Sequence, residues 1–187
     1  MTRRLWAPAV CALAIYGYGV YAHVLRGEAP DLFWVCNVAP LVLALGCLMG
    51  RGGLVAISIC WLVFGTPMWL IDLFGGGNWM LASLSTHLGG LAVGIFAARQ
   101  LVWPRGSWLS AVAAHIGLLG LTRVLTPPMF NVNLVFAVWP GWEGLFPNHL
   151  VYLLGLGALA SLTYFLVERL ALRLRAPSST VAQGVEA

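Results

Sequence analysis

Cys36 and His87 are of the residue types that supply a nucleophile and a base. A thiol attacks a carbonyl carbon as its thiolate, and a nearby imidazole can accept the thiol proton. Each residue lies several positions inside an apolar run, where polar groups are costly and a functional role is a sound hypothesis. Taken alone, Cys36 is typical of a buried structural side chain. Together, the two residues predict nucleophilic catalysis, provided that their helices adjoin.

Other polar residues fall at a similar predicted depth. Asp72 closes one apolar run, and His115 lies near the middle of another. The segment 126–147 is mostly apolar but is broken by prolines, which is typical of an interfacial or re-entrant element that roofs a pocket. Each polar side chain also has a plain structural explanation as a core or interfacial residue. The substrate-binding candidates are Asp72, His115, Trp139 and His149.

The same residues leave other ligand chemistries open. Haem takes axial histidines from facing helices, and His87 and His115 lie at similar depth. A metal ion has His87, His115, His149 and Asp72 as candidate ligands, but no His-x₃-His spacing supports them, so no metal site is predicted. The four cysteines form no CxxC pair, which argues against a zinc ribbon or a thioredoxin-like motif. Nucleophilic catalysis by Cys36 requires no cofactor.

Composition indicates that membrane-spanning helices hold these residues. The chain has 187 residues, of which 60% are hydrophobic and only 9% are charged, and its mean hydropathy is +0.88. A soluble domain of this length needs more charge to cover its surface, whereas lipid-facing helices can be apolar all round. The ten basic residues are all arginines at the ends of apolar runs. This placement argues against nucleic acid as a partner and predicts membrane lipids instead.

Six apolar runs are long enough to span a bilayer. They predict an all-α, polytopic membrane protein with six transmembrane helices in one domain, residues 1–176. A disordered cytoplasmic tail, residues 177–187, is predicted to follow. The predicted spans are about 5–25, 31–50, 53–73, 79–100, 107–125 and 147–168.

Arginine placement predicts the orientation of these spans. Eight arginines fall on one predicted side and two on the other, so both termini are predicted to be cytoplasmic. The candidate polar residues then lie in the outer half of the bundle. A basic complement made only of arginine, with much Ala, Gly and Leu, favours a bacterial inner membrane. The eight are Arg3, Arg4, Arg51, Arg99, Arg105, Arg169, Arg173 and Arg175, and the two are Arg26 and Arg123.

The order of several short motifs resembles the YwaF-like integral membrane proteins, which are related to eukaryotic Cys/His membrane phospholipid acyltransferases. The resemblance covers roughly residues 30–168. A cysteine lies early in one helix, a Thr-Pro in the next and a histidine in the one after, and an Asn-containing connection precedes the last span. In this chain the motifs are Phe33-Trp-Val-Cys36, Gly65-Thr-Pro67, Ser85-Thr-His87 and Asn131-Val-Asn133.

The resemblance implies that Cys36 accepts an acyl group from a phospholipid as a thioester and that His87 is its base. It implies that Asn131 or Asn133 orients the histidine or donates to the oxyanion. The family has a histidine two residues before the cysteine, where this chain has Trp34. If that histidine is catalytic, the departure implies lost activity or a changed substrate.

The leading functional prediction is therefore a membrane-embedded lipid-modifying enzyme that performs acyl transfer or lipid hydrolysis. A non-catalytic class competes with it. In that class the chain is an accessory subunit that packs against partner subunits of a larger membrane complex, or it binds haem, quinone or another lipophilic ligand.

Overall fold

The computed structural model describes residues 4–77 and 80–175. Within these ranges the regular structure is entirely helical, without strands, which confirms the predicted all-α class. The predicted tail at 177–187, and Arg3 among the predicted cytoplasmic arginines, lie outside the described residues.

Six helices account for the six apolar runs. All but the second are long and apolar enough, by length and composition, to cross a membrane. These properties are those of a multi-pass membrane protein. The helices are α1 (Trp6–Leu25), α2 (Val35–Met49), α3 (Gly52–Phe74), α4 (Leu81–Ala98), α5 (Ser107–Leu125) and α6 (His149–Arg173).

The second helix is shorter than the apolar run 31–50 that predicted it. Ala29–Phe33 forms a separate 3₁₀ turn with Pro30 in its first positions. Trp34 then adopts an extended conformation (φ −56°, ψ 135°), which interrupts the helix before Val35. With 15 residues, α2 is about 22 Å long at 1.5 Å per residue.

Helix α3 lies at the centre of the bundle. It packs against α2, α4, α5 and α6, whereas α1 packs mainly against α2 and α4. Two hydrogen bonds from α3 side chains reinforce this packing. Ser58 Oγ donates to the Ala39 carbonyl of α2 at 2.8 Å, and Trp61 Nε1 donates to the Ala111 carbonyl of α5 at 3.1 Å.

Two glycines, which have no side chain, allow α2 and α4 to approach α3 closely. A Cβ atom on Gly46 of α2 would lie 2.9 Å from the Val55 backbone nitrogen of α3. A Cβ atom on Gly94 of α4 would lie 2.9 Å from Ile59 Cγ1, also on α3. Small residues at such interfaces are the usual means by which membrane helices come into backbone contact.

The connection between α5 and α6 folds back onto the bundle. It contains short 3₁₀ turns at Pro128–Phe130, Val132–Leu134 and Glu143–Leu145. The middle turn is buried and packs against the Ala29–Phe33 turn and α5. The centre of this connection, residues 132–135, is therefore packed into the bundle, while about half of the connection is exposed.

The N-terminus of α5 is capped by a carboxylate from the last helix. Glu168 is 6% exposed, and its two oxygens accept hydrogen bonds from the backbone N–H groups of Gly106 and Trp108, both at 2.9 Å. The first N–H groups of a helix lack partners inside the helix, and a negative charge there is favourable. This contact fixes α6 to the start of α5.

We expect Glu168→Gln to destabilise the protein, because an amide has one acceptor oxygen for the two N–H groups. The loss should be about 1–3 kcal/mol, the range for leaving a buried donor unsatisfied. Thermal unfolding in detergent measures the effect. Glu143→Gln changes an exposed glutamate and should leave the unfolding temperature unchanged. Equal unfolding temperatures for the two variants would contradict the capping role.

Candidate functional site

A cavity of about 860 Å³ lies at the end of the bundle where α1, α3 and α5 end. All six helices line it, together with the α5–α6 connection. Seven of the eight predicted site residues lie on its wall, and His149 does not. The seven are Cys36, Asp72, His87, His115, Asn131, Asn133 and Trp139.

His87 lies in a π-helical turn, Ser85–Gly89, within α4. Such turns are rare and are frequent at functional sites. The His87 Nδ1–H donates to the Ser83 carbonyl at 2.8 Å, and the ring stacks on Trp69 with centroids 4.8 Å apart and an interplanar angle of 8°. The hydrogen bond and the stacking fix both the tautomer and the plane of the imidazole.

The other ring nitrogen of His87 is left as an acceptor. Nε2 is buried and, among the described residues, has no hydrogen-bond partner. With the proton held on Nδ1 by the Ser83 carbonyl, Nε2 carries the free lone pair. An unpartnered buried polar atom costs about 1–3 kcal/mol, so this nitrogen is a candidate proton acceptor.

Gly65 of α3 separates Cys36 from His87. A Cβ atom on Gly65 would lie 3.1 Å from Cys36 Cβ and 3.9 Å from His87 Nε2. Both side chains thus reach within 4 Å of the same point, which brings the predicted nucleophile and the predicted base together. The described residues contain no hydrogen bond between them, because Nε2 has no partner.

Cys36 is the second residue of α2. The N–H groups of a first helical turn lack intrahelical partners and carry partial positive charge, which favours a thiolate or another anion. Cys36 therefore lies at the N-terminal end of the α2 dipole, where Asn133 already accepts from the Val35 N–H and the Trp34 carbonyl accepts from the Asn37 and Val38 N–H groups.

Asn133 caps that same helix from far along the chain. Its Oδ1 accepts from the Val35 N–H at 2.9 Å, while its Nδ2 donates to the Phe33 carbonyl at 2.7 Å and to Thr122 Oγ1 at 2.9 Å. Asn133 is buried and adopts a left-handed backbone conformation (φ 53°), which asparagine tolerates better than most residues. This one side chain positions the start of α2.

Asn131 organises its own connection. Its Oδ1 accepts from the backbone N–H groups of Phe136 and Ala137, and its Nδ2 donates to the Ala137 carbonyl. The hydrogen bonds of Asn131 and Asn133 within the described residues reach neither Cys36 nor His87. Each asparagine acts on the site by holding backbone in place.

The remaining predicted residues have separate environments. His115 Nδ1 lies 2.7 Å from the Tyr164 hydroxyl, which ties α5 to α6 beside the cavity. His149 Nε2–H donates to the Leu134 carbonyl at 2.9 Å, which ties the start of α6 to the connection. Asp72 is half-buried at the end of α3, and Trp139 enters the cavity wall from the connection.

Five polar residues near the end of α1 and the start of α2, which the sequence did not single out as site residues, also line the cavity. They are His23, Arg26, Glu28, Asp31 and Asn37. Asn37 directly follows Cys36 and its amide donates to the Asp31 carbonyl at 2.8 Å. One signal in the sequence could have indicated these residues. Gly27 after the predicted first helix is typical of a helix end, where the chain reverses and can bring Glu28 back toward His23.

Comparisons of the chain with models of protein families, with curated proteins and with solved structures give no match.

We expect Asn133→Ala to unfold more easily and to expose Cys36. Loss of the asparagine side chain leaves the Val35 N–H and the Phe33 carbonyl without partners. It also places alanine in a left-handed conformation, and the two effects together should cost about 2–4 kcal/mol. Maleimide labelling of Cys36, followed by intact mass in a Cys11→Ser background, should become faster.

Asn148→Ala, which removes an exposed helix cap, should cost about 1 kcal/mol and leave labelling unchanged. Slow labelling of Asn133→Ala would contradict this role.

Proposed function

We propose that the chain crosses a bacterial inner membrane six times, with both termini in the cytoplasm. The five long apolar helices support this topology. The sixth span would combine α2 with the Ala29–Phe33 turn before it, and the arginine distribution supports the orientation. The cavity would then lie in the outer half of the bilayer, in reach of lipids from that leaflet.

Single-cysteine accessibility tests the topology. In a background lacking Cys11 and Cys36, a cysteine at Gly76, between α3 and α4, should react with an impermeant maleimide added to intact cells. A cysteine at Arg105, between α4 and α5, should react only after the membrane is opened. The reverse pattern would contradict the orientation, and equal reaction at both positions would contradict the number of spans.

We propose that the protein is a lipid-modifying enzyme that transfers or hydrolyses an acyl group through Cys36, with His87 as base. The observation that carries this proposal is the unpartnered His87 Nε2 across Gly65 from Cys36. The cavity supports a lipid substrate, because its wall includes Leu153, Leu154 and Leu156 of α6 beside the polar groups. The chain's resemblance to the YwaF-like proteins leads to the same chemistry.

The proposed reaction begins with transfer of the Cys36 thiol proton to His87 Nε2. The thiolate attacks the ester carbonyl, and the Cys36 backbone N–H at the start of α2 stabilises the negative oxygen. The ester C–O bond then breaks, the alcohol leaves with the proton from His87, and a thioester remains on Cys36. A second alcohol or a water molecule attacks this thioester, so that the acyl group departs and the thiol is restored.

The gap across Gly65 is compatible with this scheme. Catalytic hydrogen bonds are often long in proteins without substrate and shorten in the reacting complex. A rotation of the Cys36 side chain is the motion required, since Ser83 and Trp69 hold the imidazole. Haem ligation by His87 fits less well, because Nε2 is buried and lies 3.9 Å from the point where a Gly65 Cβ atom would stand.

Intact-mass spectrometry after incubation with mixed phospholipids tests the proposal. Wild type should gain a fatty-acyl mass that hydroxylamine removes, and Cys36→Ser should gain none that hydroxylamine removes. His87→Gln should form the adduct more slowly by about 10²–10⁴-fold, the usual contribution of a general base. An adduct of equal rate in His87→Gln would contradict the role of the histidine.

A pair of glycine variants tests the geometry. Gly65→Ala places a methyl group against Cys36 and beside His87 Nε2, so acylation should be strongly reduced. Gly117→Ala is a matched change in the interior of α5, where a Cβ meets nothing within 4 Å. Its acylation rate should match that of wild type. Failure to form any adduct, with a Soret band or a co-purified lipophilic molecule, would favour the ligand-binding alternative.

A further inference from the structure

The end of α1 brings three potential metal ligands together. Gly27, with a left-handed backbone (φ 72°), lets the chain reverse after the helix. The Gly27 N–H donates to the Val24 carbonyl and the Glu28 N–H donates to the His23 carbonyl, a pattern common at helix ends. Asp31 follows in the 3₁₀ turn, with its N–H on the Glu28 carbonyl. The chain thereby folds Glu28 and Asp31 back over His23.

The side chains of these three residues converge. One donor atom from each of His23, Glu28 and Asp31 lies within 4.8 Å of the others. His23 is only 7% exposed, and its Nδ1 has no hydrogen-bond partner among the described residues. That nitrogen faces Glu28 Oε2 at 3.8 Å, too far for a hydrogen bond. A buried imidazole nitrogen is thus aimed, without a partner, at a pair of carboxylates.

We propose that His23, Glu28 and Asp31 form a site for a divalent first-row transition-metal ion at the mouth of the cavity. One imidazole and two carboxylates form a mixed donor set that suits Zn²⁺ and similar ions, whereas Ca²⁺ and Mg²⁺ prefer oxygen ligands throughout. Three protein ligands leave a coordination position open, as in zinc sites that bind a water or a substrate. The site lies on the same cavity as Cys36.

Metal binding changes the hydrogen bond between His23 and Asn37. The Asn37 amide now donates to His23 Nε2 at 3.2 Å, which places the ring proton on Nδ1. Binding at Nδ1 requires that the ring proton move to Nε2, and the Asn37 amide must then give up its hydrogen bonds to Nε2 and to the Asp31 carbonyl. Metal-bound imidazoles commonly donate a hydrogen bond from their second nitrogen.

Arg26 opposes the ion. Its Nε donates to Glu28 Oε2 at 2.9 Å, so the guanidinium competes with a cation for the same carboxylate. Arg26 is exposed, and a surface ion pair of this kind adds little stability. Removal of Arg26 should therefore strengthen metal binding without loss of fold, an effect that adventitious binding elsewhere on the protein would not produce.

Zinc titration of the detergent-purified full chain tests the site, with metal content measured after dialysis. Wild type should bind one equivalent of Zn²⁺ and should prefer it to Ca²⁺. Glu28→Gln and Asp31→Asn should each weaken binding more than about tenfold, and Arg26→Gln should strengthen it severalfold. Glu143→Gln is the matched control and should bind as wild type does. Unfolding temperatures would show that each variant is folded.

Co²⁺ substitution identifies the ligands. A visible spectrum without thiolate charge-transfer bands, lost in Glu28→Gln, supports imidazole and carboxylate ligation. A thiolate spectrum, no bound zinc, or equal affinity in wild type, Glu28→Gln and Asp31→Asn would overturn the proposal. Neither readout depends on acylation of Cys36, so the metal site and the proposed enzyme can fail independently.

Discussion

The close approach of α2 and α4 to α3 is the constraint on which the site depends. Apolar side chains gain nothing by leaving lipid for protein, so helices in a bilayer must be held by tight packing and hydrogen bonds. Gly46 and Gly94 bring α2 and α4 against α3. Gly65 lies between these helices and gives Cys36 and His87 a common wall. A larger residue at Gly65 would place its side chain between Cys36 and His87.

Polar contacts between distant parts of the chain then lock the helix ends. Asn133 caps α2 from a position 98 residues after Val35, and Glu168 caps α5 from α6. A buried backbone group at a helix end is costly if it lacks a partner. These caps therefore decide where each helix begins, and the cap on α2 also fixes the position of Cys36.

Hydropathy was sufficient to predict the helices, because a run of about 20 apolar residues has few alternatives. Counting depth along those helices also placed Cys36 and His87 in the outer half of the bundle and His115 near the middle of its helix, and all three line one cavity. The start of α2 was misplaced because Trp34 interrupts the helix within a mostly apolar run. The caps depend on contacts between distant segments, and the His23 cluster depends on the chain reversal after α1; hydropathy reports neither.

Two imidazole nitrogens without hydrogen-bond partners in the described part of the chain, one on His87 and one on His23, lie on the cavity wall. Four of the described buried side-chain polar atoms lack a partner, and two are imidazole nitrogens, His23 Nδ1 and His87 Nε2, on the same cavity. Each costs about 1–3 kcal/mol if it stays unsatisfied. Both rings are held by their other nitrogen, on Asn37 and on the Ser83 carbonyl. Each imidazole is thus oriented through one nitrogen while the other faces a proposed reacting group, the Cys36 thiol for His87 and a metal ion for His23.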